Sequence, residues 1–243
     1  MKKQYKVVAL DLDGTVTQHK SKLNEENRNI LKKLMEKYQV VFVGAGTCER
    51  IFNQLDGLEV DIIGNYGMQF STVADGKFSL IREYKKHPDN EEIIRRIKKL
   101  RSRLELPKDT CGEIVEFHDS GVITFPLLGT KAKLEDKLKY DPNRELRRKM
   151  LPVVKEYFPG DIVFIGGTSS YDISPKPFSK LHGIDEYLSG KGLTRKDVIY
   201  MGDDYGIGGN DENIYLSDIN FVCVDNYLDF PQLVHKYISE GHP

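Results

Sequence analysis

Cysteine is scarce in this chain and forms no pattern: Cys48, Cys111 and Cys223 are odd in number and widely spaced. That excludes a disulfide framework and a thiolate metal site, and reads as small buried residues in a reducing compartment. An excess of either charge is missing too. The chain sets 36 Lys plus Arg against 37 Asp plus Glu, so neither nucleic acid nor a membrane surface is an expected partner. No apolar run approaches the length that spans a bilayer. Lys2 and Lys3 precede an apolar stretch, as in a signal peptide, but Asp11 interrupts it within a few residues. Internal repeats and low-complexity tracts are also lacking. What remains is an expected cytoplasmic protein of 243 residues, enough for one large or two modest domains.

The chain is organised around residues 7–15, Val-Val-Ala-Leu-Asp-Leu-Asp-Gly-Thr. Val7 to Leu10 have the length and apolarity of a buried parallel strand. The strand ends in Asp11 and Asp13, which alternation along an extended chain sends to one side. Two like charges there repel unless a cation or a shared proton compensates them. The carboxyl end of a strand in an α/β sheet is also where such folds keep their ligands. An acidic turn of no chemical importance is the plain alternative, since Asp-Gly is ordinary turn chemistry.

After Asp13 the pattern predicts a helix capped by Asn24, with Ile30, Leu31, Leu34, Met35 and Tyr38 on one face. A strand over 40–43 ends in Gly44-Ala45-Gly46-Thr47. A helix with Ile51, Phe52 and Leu55 and a strand over 60–63 follow. This β-α-β-α-β start implies a parallel sheet with right-handed crossovers. A hairpin turning at Asp75-Gly76 comes next. Polar, helix-breaking residues 85–89 then mark a boundary. Beyond it lie a charged helix with Ile93, Ile94, Ile97, Leu100 and Leu104 inward and strands over 113–118 and 122–127. A helix over 143–157 and strands over 162–165 and 171–174 complete an antiparallel, helix-flanked sheet. The α/β rhythm returns with a helix at Leu181 to Leu188, strands over 198–201 and 221–224, and a closing amphipathic helix from Phe230. The expected fold class is therefore α/β: a Rossmann-like parallel-sheet core over residues 1–84 and 179–243, with an inserted α+β domain over 85–178.

Gly202-Asp203-Asp204 followed by Gly208-Gly209-Asn210-Asp211 is a second acidic cluster at a strand end. Hard oxygen ligands from two strand ends suit Mg²⁺, which leaves coordination positions for water and phosphate. Lys180 opens a helix after Pro175 and Pro177. Such a lysine is usually solvated, yet a site gathering several carboxylates and a phosphate needs a cation besides the metal. Thr47 and Gly46 could offer a hydroxyl and amides to phosphate oxygens; equally, Thr47 could simply cap the next helix. Gly44-Ala45-Gly46 is a weak dinucleotide signal, because Glu49 stands at the third glycine position.

Asp11-Leu-Asp13-Gly-Thr, then Thr47, Lys180, Gly-Asp203-Asp204 and Gly-Gly-Asn210-Asp211 occur in the order of the haloacid dehalogenase superfamily, which the chain resembles. The insertion resembles that superfamily's type IIB cap. More closely, the chain is similar to eukaryotic-type phosphomannomutases. The residues carrying this are Gly-Gly-Asn-Asp in the last motif, Glu116-Phe117 before a cap hairpin, and Ile165-Gly-Gly-Thr-Ser-Ser-Tyr-Asp172. The resemblance implies that Asp11 attacks a phosphoryl group and that Asp13 moves the proton. It implies Mg²⁺ held by Asp11, the carbonyl of Asp13, Asp203, Asn210 and Asp211, and it places Ser170 and Asp172 against the sugar. The mutases grip the distal phosphate with arginines in the cap and one shortly after the first motif. At those positions this chain has Lys20, His118, Thr130 and Lys137, and Thr47 falls one position from the family's serine.

Arginine grips phosphate through two parallel bonds, lysine is a point charge and threonine carries none. Losing that grip weakens the case for a mutase, which must retain a bisphosphate, more than the case for a phosphatase. The leading expectation is therefore Mg²⁺-dependent hydrolysis of a phosphorylated sugar or small metabolite, with a hexose-phosphate mutase as the alternative. A non-catalytic sugar-phosphate binder has no use for the Asp11/Asp13 pair. Expected partners are the small phosphorylated ligand and, as one option, a second copy of the chain in a homodimer.

Overall fold

A computed structural model gives the structure and describes residues 5–19 and 21–239. Val7–Leu10 form β1, buried at every position. In chain order follow α1 (Glu25–Met35), β2 (Gln39–Val43), α2 (Cys48–Gln54), β3 (Asp61–Gly64), β4 (Gln69–Ala74) and β5 (Lys77–Glu83). Next come α3 (Asn90–Arg103), β6 (Glu116–Phe117), β7 (Ile123–Pro126), α4 (Leu134–Tyr140), α5 (Glu145–Tyr157), β8 (Asp161–Gly166) and β9 (Ser170–Pro175). The chain closes with α6 (Lys180–Gly190), β10 (Val198–Gly202), α7 (Glu212–Tyr215), β11 (Asn220–Cys223) and α8 (Phe230–Val234).

These elements form two compact units. The first contains Met1–Glu83, Lys180–Tyr205 and Asp211–Pro243; the second contains Tyr84–Ser179 and Gly206–Asn210. The first unit holds a seven-stranded sheet ordered β11-β10-β1-β2-β3-β4-β5. Its strands run parallel from β11 to β3, and the β4–β5 hairpin extends it antiparallel. The hairpin turns at Asp75 and Gly76, both with positive φ, as a tight right-twisting turn requires. Leu10, Phe42, Ile62 and Met201 from the strands pack with Leu31, Ile51 and Phe230 from the helices. Asn24 caps α1 as predicted, its side chain accepting from the amide of Asn27.

The order of strands matters for function. From β1 the chain winds one way through β2 and β3, and later the other way through β10 and β11. The winding reverses between the carboxyl ends of β1 and β10, the usual ligand position of such sheets.

The second unit carries the antiparallel sheet β6-β7-β9-β8. Ile97, Leu100, Phe125, Val154, Phe158 and Tyr171 lie in its core. Within it Arg147, 1% exposed, pairs with buried Asp141 at 2.9 Å. The guanidinium also donates to the carbonyl of Gly166 at 2.8 Å. The loop segment 206–210 packs with this unit, the carbonyl of Gly208 accepting from the amide of Ile165 at 2.7 Å.

Several expectations need correction. The strand over 113–118 shrinks to Glu116–Phe117. Ahead of it the carbonyl of Glu113 accepts from the amide of Thr130, and Cys111 pairs irregularly with residues 128 and 131, beside Gly112 and Gly129 at left-handed φ. Helix α4 was not predicted. No residue in it is buried, so it has no periodic apolar face to read. Of the cysteines only Cys48 is buried; Cys111 is exposed and Cys223 half-buried, because Cys111 sits in that irregular segment rather than in a ladder. The closing helix is also shorter than its pattern suggests, α8 giving way to a π-helical turn over His235–Ser239. Among the described residues no helix is long and apolar enough to cross a membrane.

Candidate active site

The amide of Asp11 extends the β1–β10 ladder by donating to the carbonyl of Met201 at 3.0 Å. This carries Asp11 to the carboxyl end of β1, 6% exposed. Immediately after it the chain curls, the amides of Val16 and Thr17 both donating to the carbonyl of Leu12. Gly14 makes the curl possible at φ +92°, and a Cβ there would lie 2.4 Å from Oδ2 of Asp203. Glycine is thus required twice, by the backbone and by a neighbouring carboxylate.

Lys180 is the centre of the site rather than a solvated surface group. Its side chain is 1% exposed, and Nζ lies 2.9 Å from Oδ1 of Asp11 and 2.8 Å from Oδ1 of Asp211. Burial lowers the lysine's proton affinity, but the two carboxylates outweigh it and hold the ammonium above its ordinary range. Asp211 Oδ1 also accepts from the Tyr200 hydroxyl at 2.6 Å, and Oδ2 from the amide of Asp204 at 3.1 Å. At least three of its roughly four acceptor directions are therefore taken. Asp203 accepts from the Thr15 hydroxyl at 3.2 Å.

Carboxylate oxygens of Asp11, Asp203 and Asp211 lie within 4.8 Å of one another. Burial first, then Asp211 and Asp203, pushes the Asp11 carboxyl well above the usual range against the pull of Lys180. The Asp203 carboxyl is also raised, again mainly by burial. Three crowded carboxylates share one ammonium, so a further positive charge is called for. Hard oxygen donors from two strand ends fit a divalent cation.

The pair of β-strand carboxylates is completed by Asp13, and here two residues enter that sequence reasoning missed. Arg50 Nη2 donates to Asp13 Oδ2 at 2.9 Å, and Gln54 Nε2 donates to Oδ1 at 2.7 Å. Their spacing of four along α2 was a readable signal of a shared face; their partner, far away in sequence, was not. Thr47 caps that helix, its hydroxyl oxygen accepting from the amide of Arg50 at 3.1 Å. The preceding Gly46 carries the Arg50 guanidinium against its backbone.

The remaining predicted residues belong to the second unit. His118 Nε2 lies 3.0 Å from the Thr124 hydroxyl, which donates to Asp172 Oδ1 at 2.9 Å. Thr124 thereby links two predicted substrate residues. Since its single proton goes to Asp172, Nε2 of His118 carries the hydrogen in that pair. Ser170 donates to the carbonyl of Gly166 at 3.0 Å. Asn210 lies in the segment that packs with this unit, so the first unit's own cluster is Asp11, Asp203 and Asp211. Lys20 lies outside the described residues.

Comparison with known proteins agrees with this fold. The sequence model of a family described as eukaryotic phosphomannomutase matches residues 27–224. A phosphomannomutase of Saccharomyces cerevisiae is 28% identical over 225 residues, covering 87% of this chain and 85% of that protein. One from Triticum aestivum is 30% identical over 226 residues, covering 87% of each. Among solved structures, an N-terminally truncated, IMP-bound IMP-nucleotidase of Plasmodium falciparum superposes with a TM-score of 0.70 at 15% identity. That match covers 95% of this chain and 67% of the other, and it speaks for the fold alone.

Proposed function

The chain belongs to the eukaryotic phosphomannomutase family, and from that premise we propose that it moves a phosphoryl group between positions of a hexose phosphate by way of Asp11. Sequence alone put hydrolysis first; relatives named phosphomannomutase favour the mutase reading, which takes first place here. The observation that carries the chemistry is the placement of Asp11, buried at the end of β1 with Lys180 at 2.9 Å and the Asp203 and Asp211 carboxylates beside it.

In the first half-reaction a carboxylate oxygen of Asp11 bonds to phosphorus and the phosphorus–sugar oxygen bond breaks. The departing oxygen keeps the electron pair and takes a proton from Asp13. In the second half, Asp13 removes a proton from another sugar hydroxyl, whose oxygen attacks the aspartyl phosphate and releases Asp11. Lys180 holds Asp11 aligned and balances charge on both Asp11 and Asp211. Asp11, Asp203 and Asp211, with Asn210 and the Asp13 carbonyl as the family resemblance adds, would hold Mg²⁺. When bound, that ion supplies charge compensation for the transferring phosphoryl group. Ser170, Asp172 and His118 are assigned to the sugar phosphate, and Thr47 and Gly46 to phosphate oxygens.

One observation favours water as acceptor instead. Thr130 spends its hydroxyl oxygen on the amide of Glu113 at 3.0 Å, and its carbonyl accepts from Lys137 Nζ at 3.4 Å. Two positions where the mutases have arginine are thus engaged in local structure. The test is ³¹P NMR on mannose 1-phosphate or glucose 1-phosphate with a bisphosphate activator and Mg²⁺. Rapid appearance of the 6-phosphate supports the mutase; inorganic phosphate outpacing the isomer means hydrolysis. In the hydrolytic case Thr130→Arg should shift the ratio toward the isomer.

A further inference from the structure

Arg50 and Gln54 form a closed network around Asp13 that no step above uses. Arg50 Nη2 and Gln54 Nε2 each take one carboxylate oxygen. Gln54 Nε2 also donates to the Thr17 hydroxyl at 3.1 Å, and Arg50 Nη1 donates to Gln54 Oε1 at 3.2 Å. The amide's two ends thus face the right partners: acceptors at the nitrogen, a donor at the oxygen. With one fixed bond on each oxygen, the Asp13 carboxylate cannot rotate without breaking a charge-assisted contact.

The Arg50 fork reaches Asp13 by lying across Gly46. A Cβ on Gly46 would stand 2.2 Å from Arg50 Nε and 2.5 Å from Nη2. The clash is with the end of a side chain, and Gly46 does not have a left-handed φ. An alanine there would therefore displace the guanidinium without straining the backbone.

We propose that Arg50 and Gln54 are the positioning residues of Asp13, and that Gly46 is glycine so that the Arg50 fork can lie where it orients that carboxylate. The inference rests on the proposed role of Asp13 and adds what aims it. Proton transfer demands a donor placed to within a fraction of an ångström of the sugar oxygen, and misplacement by about 1 Å costs roughly a hundredfold. The Asp13 carboxyl is engaged only in the chemical steps, so its misalignment acts on kcat and not on substrate affinity.

The test measures kcat and KM on hexose 1-phosphate for Arg50→Ala, Gln54→Ala, Gly46→Ala and the double variant Arg50→Ala with Gly46→Ala. Each single change should lower kcat by about tenfold to a hundredfold and leave KM within about twofold, Gly46→Ala included because alanine keeps the backbone amide assigned to phosphate. Arg50→Lys, which keeps charge but not the fork, should recover part of the loss. The deficit should shrink on p-nitrophenyl phosphate, whose leaving group departs without a proton. Adding Gly46→Ala to Arg50→Ala should cost nothing further, because both act through one guanidinium. Three results overturn the inference: variants with wild-type kcat, a raised KM at unchanged kcat (Arg50 then holds substrate phosphate), or multiplicative loss in the double variant. They do so with wild-type transfer intact. A wild type inactive on every sugar phosphate instead overturns the proposed function, and this inference with it.

Discussion

Replacing Lys180 with methionine keeps the length of the side chain and deletes its charge from a place where solvent cannot replace it. Nζ sits 2.9 Å from Asp11 and 2.8 Å from Asp211 with the side chain 1% exposed. Breaking a buried pair by removing one partner costs about 3–5 kcal/mol, since the other charge stays buried. At about 2–4 °C per kcal/mol for a chain of this size, the apparent Tm should fall by roughly 6–20 °C. The pH dependence is the sharper test. A carboxyl whose pKa is raised by folding contributes stability below its unfolded value, about pH 4, and loses it as pH rises through the folded value. Asp11 is already raised, and without Lys180 it rises further. The variant's deficit should therefore be largest near neutrality and narrow on acidification. Thermal unfolding followed by circular dichroism in chelator, between pH 4.5 and 8, reads both effects. A Tm within 2 °C of wild type near pH 7.5, or a gap that widens in acid, would refute the electrostatic account of this site.

Three further outcomes follow from the same geometry. Asp11→Asn keeps the shape but removes the attacking charge, so turnover should drop by several orders of magnitude with the melting curve preserved; activity within about tenfold of wild type in a phosphate-transfer assay overturns the assignment. Asp203→Ala should raise the Mg²⁺ concentration needed for half activity, and full activity of the wild type in excess chelator would rule the metal scheme out. In the second unit, burial raises the Asp141 carboxyl, but the side-chain and backbone bonds from Arg147 overcome it and leave it lowered. That stability is present above about pH 4 and lost as pH falls through the folded value. Arg147→Leu, which strands a buried carboxylate, should cost about 3–5 kcal/mol at neutral pH and less in acid, as proteolysis of the second unit would report.

Much of the parallel sheet could be read directly, because strands buried on both faces appear as short unbroken apolar runs. Val7–Leu10 is one, and Asp75-Gly76 announced its hairpin through turn chemistry. Helix α4 escaped because Leu134 and Leu138 are exposed and no buried face imposes a period. At the site, the residue types were legible and their environments were not. Lys180 begins a helix in the manner of any surface lysine; only the tertiary fold sets it between Asp11 and Asp211. Thr47 offered two roles, and the structure shows it capping α2. Arg50 and Gln54 lie 37 and 41 residues from Asp13, a separation across which no local pattern points.

The pairing of β1 with β10 has a consequence for how the chain is made. Ala9 stands opposite Val41 on one side and opposite Tyr200 on the other. Closing the second of these loops costs about 1.6 kcal/mol more chain entropy than the first, by the logarithmic scaling of loop length. During synthesis at about 5–20 residues per second, the second edge of β1 stays bare for roughly 8–32 s after the first could pair. An apolar strand with an open edge is a template for aggregation. The second unit, contiguous apart from residues 206–210, is complete in all but those five before β10 emerges. By packing first it takes about half of the intervening chain out of the flexible loop, lowering the closure cost by about 0.6 kcal/mol. The insertion that carries the sugar-contact candidates thus also eases the last step in assembling the sheet, the step that brings Asp203 and Asp211 to Asp11.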